Sequence, residues 1–469
     1  MSQFSVSRFS PVVTTALWAQ RRSWLIPRIL RQMGLAMLSR LQGGPAPLEG
    51  WNSPLIVRES GARPAIDLNQ AAACLPSRLE RPDRLHRRLS CLISTSVLDA
   101  GGIDEFVAFL ARRLPDRGIR STVMVTDPAV SGGRLMRALQ EEGIEVIHGY
   151  PSECLGWLRE QRPDVISAHA PPDWLVQAAH ELGIPVVETL HAAPTPIGTD
   201  WRAEGPRSRN IRFLIAVSDL VRRQYLRGNP AFSADAIYTI PNGFNSTHRQ
   251  MTDRTAARKW LGLQDEFLFV SLARHVMQKN AYGLLVAFAE VAKLFPHAHL
   301  VLAGRADDPV YMKQLQLLHK KIPERHRIHL RDNISNPSPL LSAADCFVLN
   351  SFFEGWPLAP MEALCAGLPV VMSDVGGARE QIGLDGRHGC LVPNPLENPE
   401  AVTWDSVARE RFRPQRNRAA LVSAMNSIIA NREYWATSRA TLSSEAKVRF
   451  DTEACIQRYA QVLERAVVS

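Results

Sequence analysis

Asp345-Cys-Phe-Val-Leu-Asn-Ser-Phe-Phe-Glu354-Gly-Trp-Pro-Leu-Ala-Pro-Met-Glu362-Ala-Leu-Cys-Ala-Gly367-Leu-Pro369 is the most informative stretch of the 469-residue chain. Cys346–Leu349 is a short apolar run that reads as a buried strand. Glu354-Gly355 falls in the turn after it. Pro360 suits the first position of a helix, which places Glu362 in its first turn. Gly367 then stops the helix, with Pro369 just beyond. This strand–turn–helix unit predicts Glu354 at the carboxyl end of a strand and Glu362 on the next helix, both facing one crevice. Backbone N–H groups of the turn and helix start would point there too, as a site for an anion or a hydroxyl. Two glutamates eight residues apart are common by chance, so their flanks carry the weight.

The same grammar extends to both sides. Towards the N-terminus of that stretch, Phe267–Leu272, His299–Ala303 and Arg327–Leu330 read as strands, with helices at Ala281–Leu294 and Tyr311–Lys320 between them; Pro369–Met372 continues the series. Residues 87–243 repeat the alternation. Leu89–Thr95, Ser121–Thr126, Glu145–His148, Val165–His169, Val186–Leu190 and Leu214–Val217 read as strands. Helices at Ile103–Leu114, Gly132–Glu142, Trp174–Leu182 and Asp219–Arg227 separate them. Alternating β and α units imply a parallel sheet covered on both faces. Ile240-Pro241-Asn242-Gly243 reads as a turn between two such domains, 87–243 and 244–430. Residues 431–469 are expected to be helical, with Phe450, Ile456, Tyr459 and Leu463 on one buried face, packing back across a cleft between the domains.

Composition removes several classes. Hydrophobic residues are 45% and charged residues 22% of the chain, ordinary values for a globular protein. The seven cysteines are scattered, without Cys-x-x-Cys pairs, so neither a disulfide framework nor a zinc site is indicated. The net charge of +9 is concentrated: residues 1–48 hold six arginines (Arg8, Arg21, Arg22, Arg28, Arg31, Arg40) and no acid. The remainder is close to neutral, which argues against a nucleic-acid partner. Within 1–50, Ile26, Ile29, Leu30, Met33 and Met37 recur at helical spacing with Arg28 and Arg31 elsewhere on the wheel. That pattern fits a basic amphipathic segment on an anionic membrane surface and resembles a transit peptide; a helix packed on the protein's own body and a disordered extension are the alternatives. Residues 51–86 read as a Pro- and Arg-rich linker with one short helix, Leu68 to Cys74.

Asp345, Glu354-Gly355, Pro357-Leu358, Glu362-Ala363 and Gly367-Leu368-Pro369-Val370 together resemble the Glu-x7-Glu signature of retaining glycosyltransferase family 4. Further landmarks follow in order. Arg274 and Lys279, after the strand Phe267–Leu272, resemble the family's Arg…Lys pair, although the usual Lys-Gly is Lys279-Asn280. Ala303-Gly304-Arg305 resembles its strand–Gly turn, with Gly304-Arg305-Ala306 in place of Gly-Asp-Gly. Gly101-Gly102 resembles the glycine loop of the first domain. His191 matches a recurrent histidine facing the donor sugar. The resemblance covers residues 88–468 and implies the GT-B fold: α/β, two Rossmann-like domains facing an interdomain cleft.

The activity implied is metal-independent transfer, with retention, of a hexose-type unit from a nucleotide-sugar to a hydroxyl of a polysaccharide or lipid-linked glycan. The resemblance assigns catalytic roles to Glu354, Arg274, Lys279 and His191. It assigns donor contacts to Gly101, Gly102, Gly304, Gly355, Trp356, Pro357, Leu358 and Glu362. Physical chemistry is consistent with this. A departing diphosphate gains negative charge, and Arg274 and Lys279 can supply fixed cations where it develops. No Asp-x-Asp occurs, so no metal or other cofactor is expected beyond the nucleotide-sugar itself. The rival readings are an epimerase or phosphorylase on the same fold and a non-catalytic nucleotide-sugar-binding scaffold. The expected location is the cytoplasm, peripheral to the inner face of the cell membrane.

Overall fold

A computed structural model describes residues 44–57, 89–99, 101–127, 129, 133–243 and 252–468. The proposed amphipathic helix around Ile26–Met37 and the short helix at Leu68–Cys74 lie outside the described residues.

Two parallel sheets form the frame. The first has β1 (Leu89–Thr95), β2 (Ile119–Val125), β3 (Val146–His148), β4 (Val165–His169), β5 (Val186–Leu190), β6 (Phe213–Ala216) and β7 (Ile237–Thr239), in the order β3-β2-β1-β4-β5-β6-β7. The second has β8 (Phe267–Leu272), β9 (Ala298–Ala303), β10 (Ile328–Arg331), β11 (Cys346–Leu349), β12 (Val370–Ser373) and β13 (Gly389–Val392), in the order β10-β9-β8-β11-β12-β13. In each sheet the order reverses beside its first strand: β1 pairs with β2 and β4, and β8 with β9 and β11. Crevices outside the carboxyl ends of strands at such reversals are where α/β folds bind ligands. The expected architecture is therefore present: two Rossmann-like halves of GT-B type with a cleft between them.

The strands read as near-continuous apolar runs because helices cover both faces. β1, β4, β8 and β11 are buried almost throughout. Edge strands β7 and β13 were not anticipated. β7 is only Ile-Tyr-Thr and β13 only Gly-Cys-Leu-Val, too short to stand out by periodicity.

Two details differ from expectation. The helix after Glu354 runs Leu358–Cys365 with Pro357 at its N-cap, so Pro360 is the third helical residue and Glu362 lies in the second turn. Proline is tolerated there because the first four N–H groups of a helix have no intrahelical acceptor to lose. The C-terminal segment is two helices, Arg432–Arg449 and Thr452–Val468. Phe450 therefore does not share a face with Ile456, Tyr459 and Leu463. It packs on Trp356 of the second domain, while those three lie in the core of the first domain. The chain crosses between domains at Asp451, whose carboxylate accepts from the Glu453 and Ala454 N–H groups. The other crossing lies alongside it: a methyl added at Gly243 would press on the Thr452 backbone.

Residues 44–57 lie against the second domain. Buried Arg331, at the end of edge strand β10, donates to the Gly50 carbonyl at 2.6 Å, the Ser53 hydroxyl at 3.0 Å and the Pro54 carbonyl at 2.8 Å. Trp51 stacks on Trp260, and a methyl at Gly262 would collide with the Ile56 carbonyl. Among the described residues no helix is long and apolar enough to cross a membrane.

Candidate active site

Glu354 sits in the loop between β11 and the helix Leu358–Cys365, almost fully buried, with its carboxylate already engaged. Lys279 Nζ lies 2.6 Å from its Oε1 and 2.8 Å from its Oε2. Ser351 donates its hydroxyl to Oε1 at 2.6 Å. The loop is braced from several sides. Asn394 donates to the Phe352 and Asp374 carbonyls, Ser373 to the Ser351 carbonyl, and Gln278 to the Phe353 carbonyl at 3.0 Å. A charged pair at this depth is tolerated because the two ions meet directly and the carboxylate also accepts from the Ser351 hydroxyl.

Lys279 ends a short turn after β8, and Asn280 follows with φ of 55°. That left-handed conformation suits glycine, and asparagine tolerates it better than most residues. The asparagine side chain also caps the next helix, accepting from the Gly283 N–H, and exchanges two hydrogen bonds with Gln415. The departure from Lys-Gly thus preserves the turn.

Arg274 leaves the same strand end but is half-exposed, 3.4 Å from Asp307, which Arg305 also approaches at 3.3 Å. Gly304 faces it: a methyl there would overlap the Ala273 carbonyl. Gly355 makes the corresponding approach across the cleft, since a methyl on it would overlap the carbonyl oxygen of His191. That contact places the Glu354 loop directly against the end of β5 in the first domain. Gly102 opens the helix Gly102–Arg113 and a methyl there would lie 3.7 Å from Leu358, so the glycine turn faces the helix of the second domain. Its amides are partly used, with Asp104 Oδ2 accepting from the Asp99 and Gly101 N–H groups at 2.9 Å each. Pro357 accepts from Gln381 through its carbonyl. Trp356 is buried against Phe450 and Gly377. Glu362 is half-buried on its helix.

Structure thus brings Glu354, Lys279, Gly355 and His191 together, with Gly102 and Leu358 meeting nearby across the cleft. Arg274 and Gly304 sit at the adjoining strand ends, and Trp356 supports the loop from within the core. Sequence reasoning did not single out His169, Ser351 or Gln278. His169 Nδ1 lies 2.7 Å from His191 Nε2. Burial pushes the His191 imidazole down to about 4 and, together with His191, holds His169 well below the usual histidine range. Both rings are neutral at pH 7. His169 closes a strand read as apolar, and only its place at the strand's carboxyl end could have marked it.

Two cavities of about 400 and 380 Å³ lie elsewhere, one lined by Arg409, Arg413 and Arg416 and one by Asp173, Trp174 and Arg207. The buried Lys279–Glu354 pair and the two histidines lie instead at the interdomain face. Among the described residues no group of three or more His, Cys, Asp or Glu is arranged to hold a metal.

The chain matches two family models: Glycosyltransferase Family 4 over residues 100–248 and Glycosyl transferases group 1 over residues 253–406. It is 27% identical over 311 residues to the phosphatidyl-myo-inositol mannosyltransferase of Mycobacterium leprae, covering 62% of this chain and 80% of that one. It is 26% identical over 419 residues to the D-inositol 3-phosphate glycosyltransferase of Stackebrandtia nassauensis, covering 76% and 90%. A match at 32% identity to an uncharacterised glycosyltransferase of Methanocaldococcus jannaschii spans only 33% of that protein. Among solved structures, Anabaena HepE in complex with UDP-glucose superposes with a TM-score of 0.65 at 20% identity, covering 80% of this chain and 100% of that one. With one model on each Rossmann-like half, the chain belongs to the superfamily of GT-B-fold glycosyltransferases related to group 1 and family 4.

Proposed function

We propose that the protein is a retaining, metal-independent glycosyltransferase. It moves a hexose-type sugar from a nucleotide-sugar to a hydroxyl of a polysaccharide or lipid-linked glycan. The observation that carries this reading is the buried Lys279–Glu354 pair held against His191 by the close approach of Gly355. A nucleotide-sugar lying along this face has a fixed cation for its diphosphate, a carboxylate for sugar hydroxyls and a neutral imidazole beside the sugar. Arg274 adds a second cation at the rim. In the reaction the bond from the anomeric carbon to the phosphate oxygen breaks and one to the acceptor oxygen forms on the same face. The acceptor's proton passes to the departing phosphate oxygen. Lys279 and Arg274 stabilise the charge that develops there.

The relatives named as mannosyltransferase and inositol-phosphate glycosyltransferase, and the UDP-glucose complex of the structural neighbour, support a nucleotide-sugar donor. Assembly of a lipid-linked glycan fits a cytoplasmic enzyme held at the membrane face by its arginine-rich segment. The test is a thermal-shift panel of UDP, GDP and ADP and their sugars on the full chain, followed by turnover of the best donor with EDTA present. Stabilisation by one nucleotide family together with EDTA-resistant transfer supports the reading. No stabilisation by any nucleotide, or activity abolished by EDTA and restored by magnesium, overturns it.

A further inference from the structure

Two side chains that the reaction just described does not require, Ser167 and His169, form a chain behind His191. Ser167 Oγ lies 3.2 Å from His169 Nε2, and His169 Nδ1 lies 2.7 Å from His191 Nε2. Ser167 and His169 are fully buried on β4. The rings are packed from one side by Phe106, with centroids 6.0 Å from His169 and 5.6 Å from His191, both edge-on. Phe106 in turn rests on Tyr459 of the last helix. Neither imidazole can rotate freely within this stack.

The two nitrogens that face each other at 2.7 Å must share one proton. Two bare lone pairs would repel, and two N–H groups would clash. The tautomers of the two rings are therefore locked to each other. If His169 donates from Nδ1, its Nε2 is bare and takes the Ser167 hydroxyl proton, and His191 carries its own proton on Nδ1. If His191 donates from Nε2, the polarity of the whole chain reverses and His191 Nδ1 is bare. In both arrangements Nε2 of His191 is occupied, so Nδ1 is the only ring nitrogen left for a ligand.

We propose that His169 is a positioning residue. Through its hydrogen bond to Nε2 it fixes the orientation of the His191 ring and selects the Nδ1–H tautomer, which donates to a ligand oxygen in the interdomain cleft. This polarity is selected because the Ser167 hydroxyl then donates into the bare His169 Nε2, and a nucleotide-sugar presents mostly acceptor oxygens. His169 touches no ligand. It acts as the outer partner that sets the tautomer of a working imidazole, as carboxylates and carbonyls do for other histidines. Low pKa values of both rings keep the pair neutral across the physiological range, so that the lock persists.

The inference rests on the glycosyltransferase reading only for the identity of the ligand; the tautomer lock is independent of it. The experiment uses the full chain labelled with ¹⁵N-histidine, and two variants. His169→Asn keeps a polar atom near the position of Nδ1, and His169→Phe keeps the packing against Phe106 but no partner. In the wild-type spectrum His191 should show a protonated Nδ1 and a bare Nε2 as one tautomer. His169→Phe should average the two tautomers and lower kcat by about tenfold, the worth of one well-placed hydrogen bond, with donor KM little changed. His169→Asn should restore most of both signals. An averaged or Nε2-protonated His191 in the wild type overturns the proposal, whether or not the variants fold. So does a His169→Phe variant whose spectrum and kcat match the wild type. If no nucleotide-sugar is turned over by the wild type, the functional reading fails and the spectra still decide the lock.

Discussion

Gly355 and His191 meet across the interdomain cleft, so closely that any side chain at 355 would overlap the backbone carbonyl of His191. The two residues follow strands of different domains, His191 after β5 and Gly355 in the loop after β11, and their approach brings the Glu354 loop to the end of β5. Gly355→Ala should leave both domains folded but hold them apart at this point. Displacing reacting groups by about 1 Å can cost a hundredfold in rate. The expected result is a loss of about that size in kcat/KM with a Tm within a few degrees of the wild type. Small-angle scattering of the variant should give a larger radius of gyration than the wild type in the presence of donor nucleotide. Wild-type turnover by the alanine variant would show that this contact is not needed for the reaction.

The Lys279–Glu354 pair makes a second prediction, and it bears on stability as well as rate. With side-chain exposures of only 17% and 6%, neither ion is well solvated if the other is removed. Glu354→Gln keeps an acceptor for Ser351 but leaves the Lys279 charge uncompensated, at an expected cost of about 3–5 kcal/mol. Lys279→Met should cost a similar amount. The double variant should lose less than the sum, because it removes the uncompensated charge. Denaturant unfolding of the three proteins checks this. All three should show strongly reduced transfer at saturating donor.

Much of this arrangement is legible in the amino-acid order, and the remainder is not for identifiable reasons. β1, β4, β5, β8 and β11 stand at their expected bounds because buried parallel strands are short apolar runs punctuated by turns. Glu354 could be placed because Gly355 and the strand before it fix a turn. Glu362 lies two residues further into its helix than Pro360 suggests, since proline at the third helical position is as acceptable as at the first. The Ser167–His169–His191 chain was invisible because it joins β4 to β5, and register between parallel strands does not follow from local pattern. The packing of residues 44–57 on Arg331 was equally hidden, since nothing local distinguishes an ordered strap from a linker.

Arg274 separates binding from stability. Its contact with Asp307 is a half-exposed 3.4 Å pair, and exposed pairs contribute little, about 0–1 kcal/mol. Arg274→Ala should therefore leave Tm almost unchanged. A charge-assisted contact to a phosphate is worth roughly 1.5–3 kcal/mol, so nucleoside-diphosphate affinity should fall by about ten- to a hundredfold in calorimetry. Unchanged affinity would move the diphosphate away from this strand end.

The neutral histidine beside Gly355 predicts a pH dependence of stability. His191 is pushed from 6.5 to about 4 by burial. Between those values the unfolded chain binds a proton at this site and the folded one does not. Its contribution is therefore fully present above about pH 6.5 and is lost as the pH falls towards 4. The span corresponds to at most about 3 kcal/mol. The stability difference between wild type and His191→Asn, measured by urea unfolding, should shrink or reverse from pH 7 to pH 4.5. A difference that stays constant over that range would mean His191 titrates normally in the fold.

The arginine-rich segment yields the last prediction, and the structure changes how it must be tested. Residues 44–57 are bound to the second domain through Arg331, Trp260 and Leu261. A deletion ending at residue 50 would cut into that contact and confuse a membrane effect with a folding one. Removing residues 1–43 takes away all six arginines of the acid-free stretch and leaves the strap in place. Apolar side chains from Ile26 to Met37 could bury at a bilayer interface while the arginines meet lipid phosphates. Full-length protein should float with vesicles of anionic phospholipid at low salt and be released at high salt, where charge attraction is screened. The deletion should remain in the unbound fraction, with unchanged Tm and unchanged nucleotide affinity. If both proteins float alike, the attachment lies in the folded domains. If neither floats at low salt, the segment does not bind anionic membranes and some other mechanism must bring a lipid-linked acceptor to the cleft.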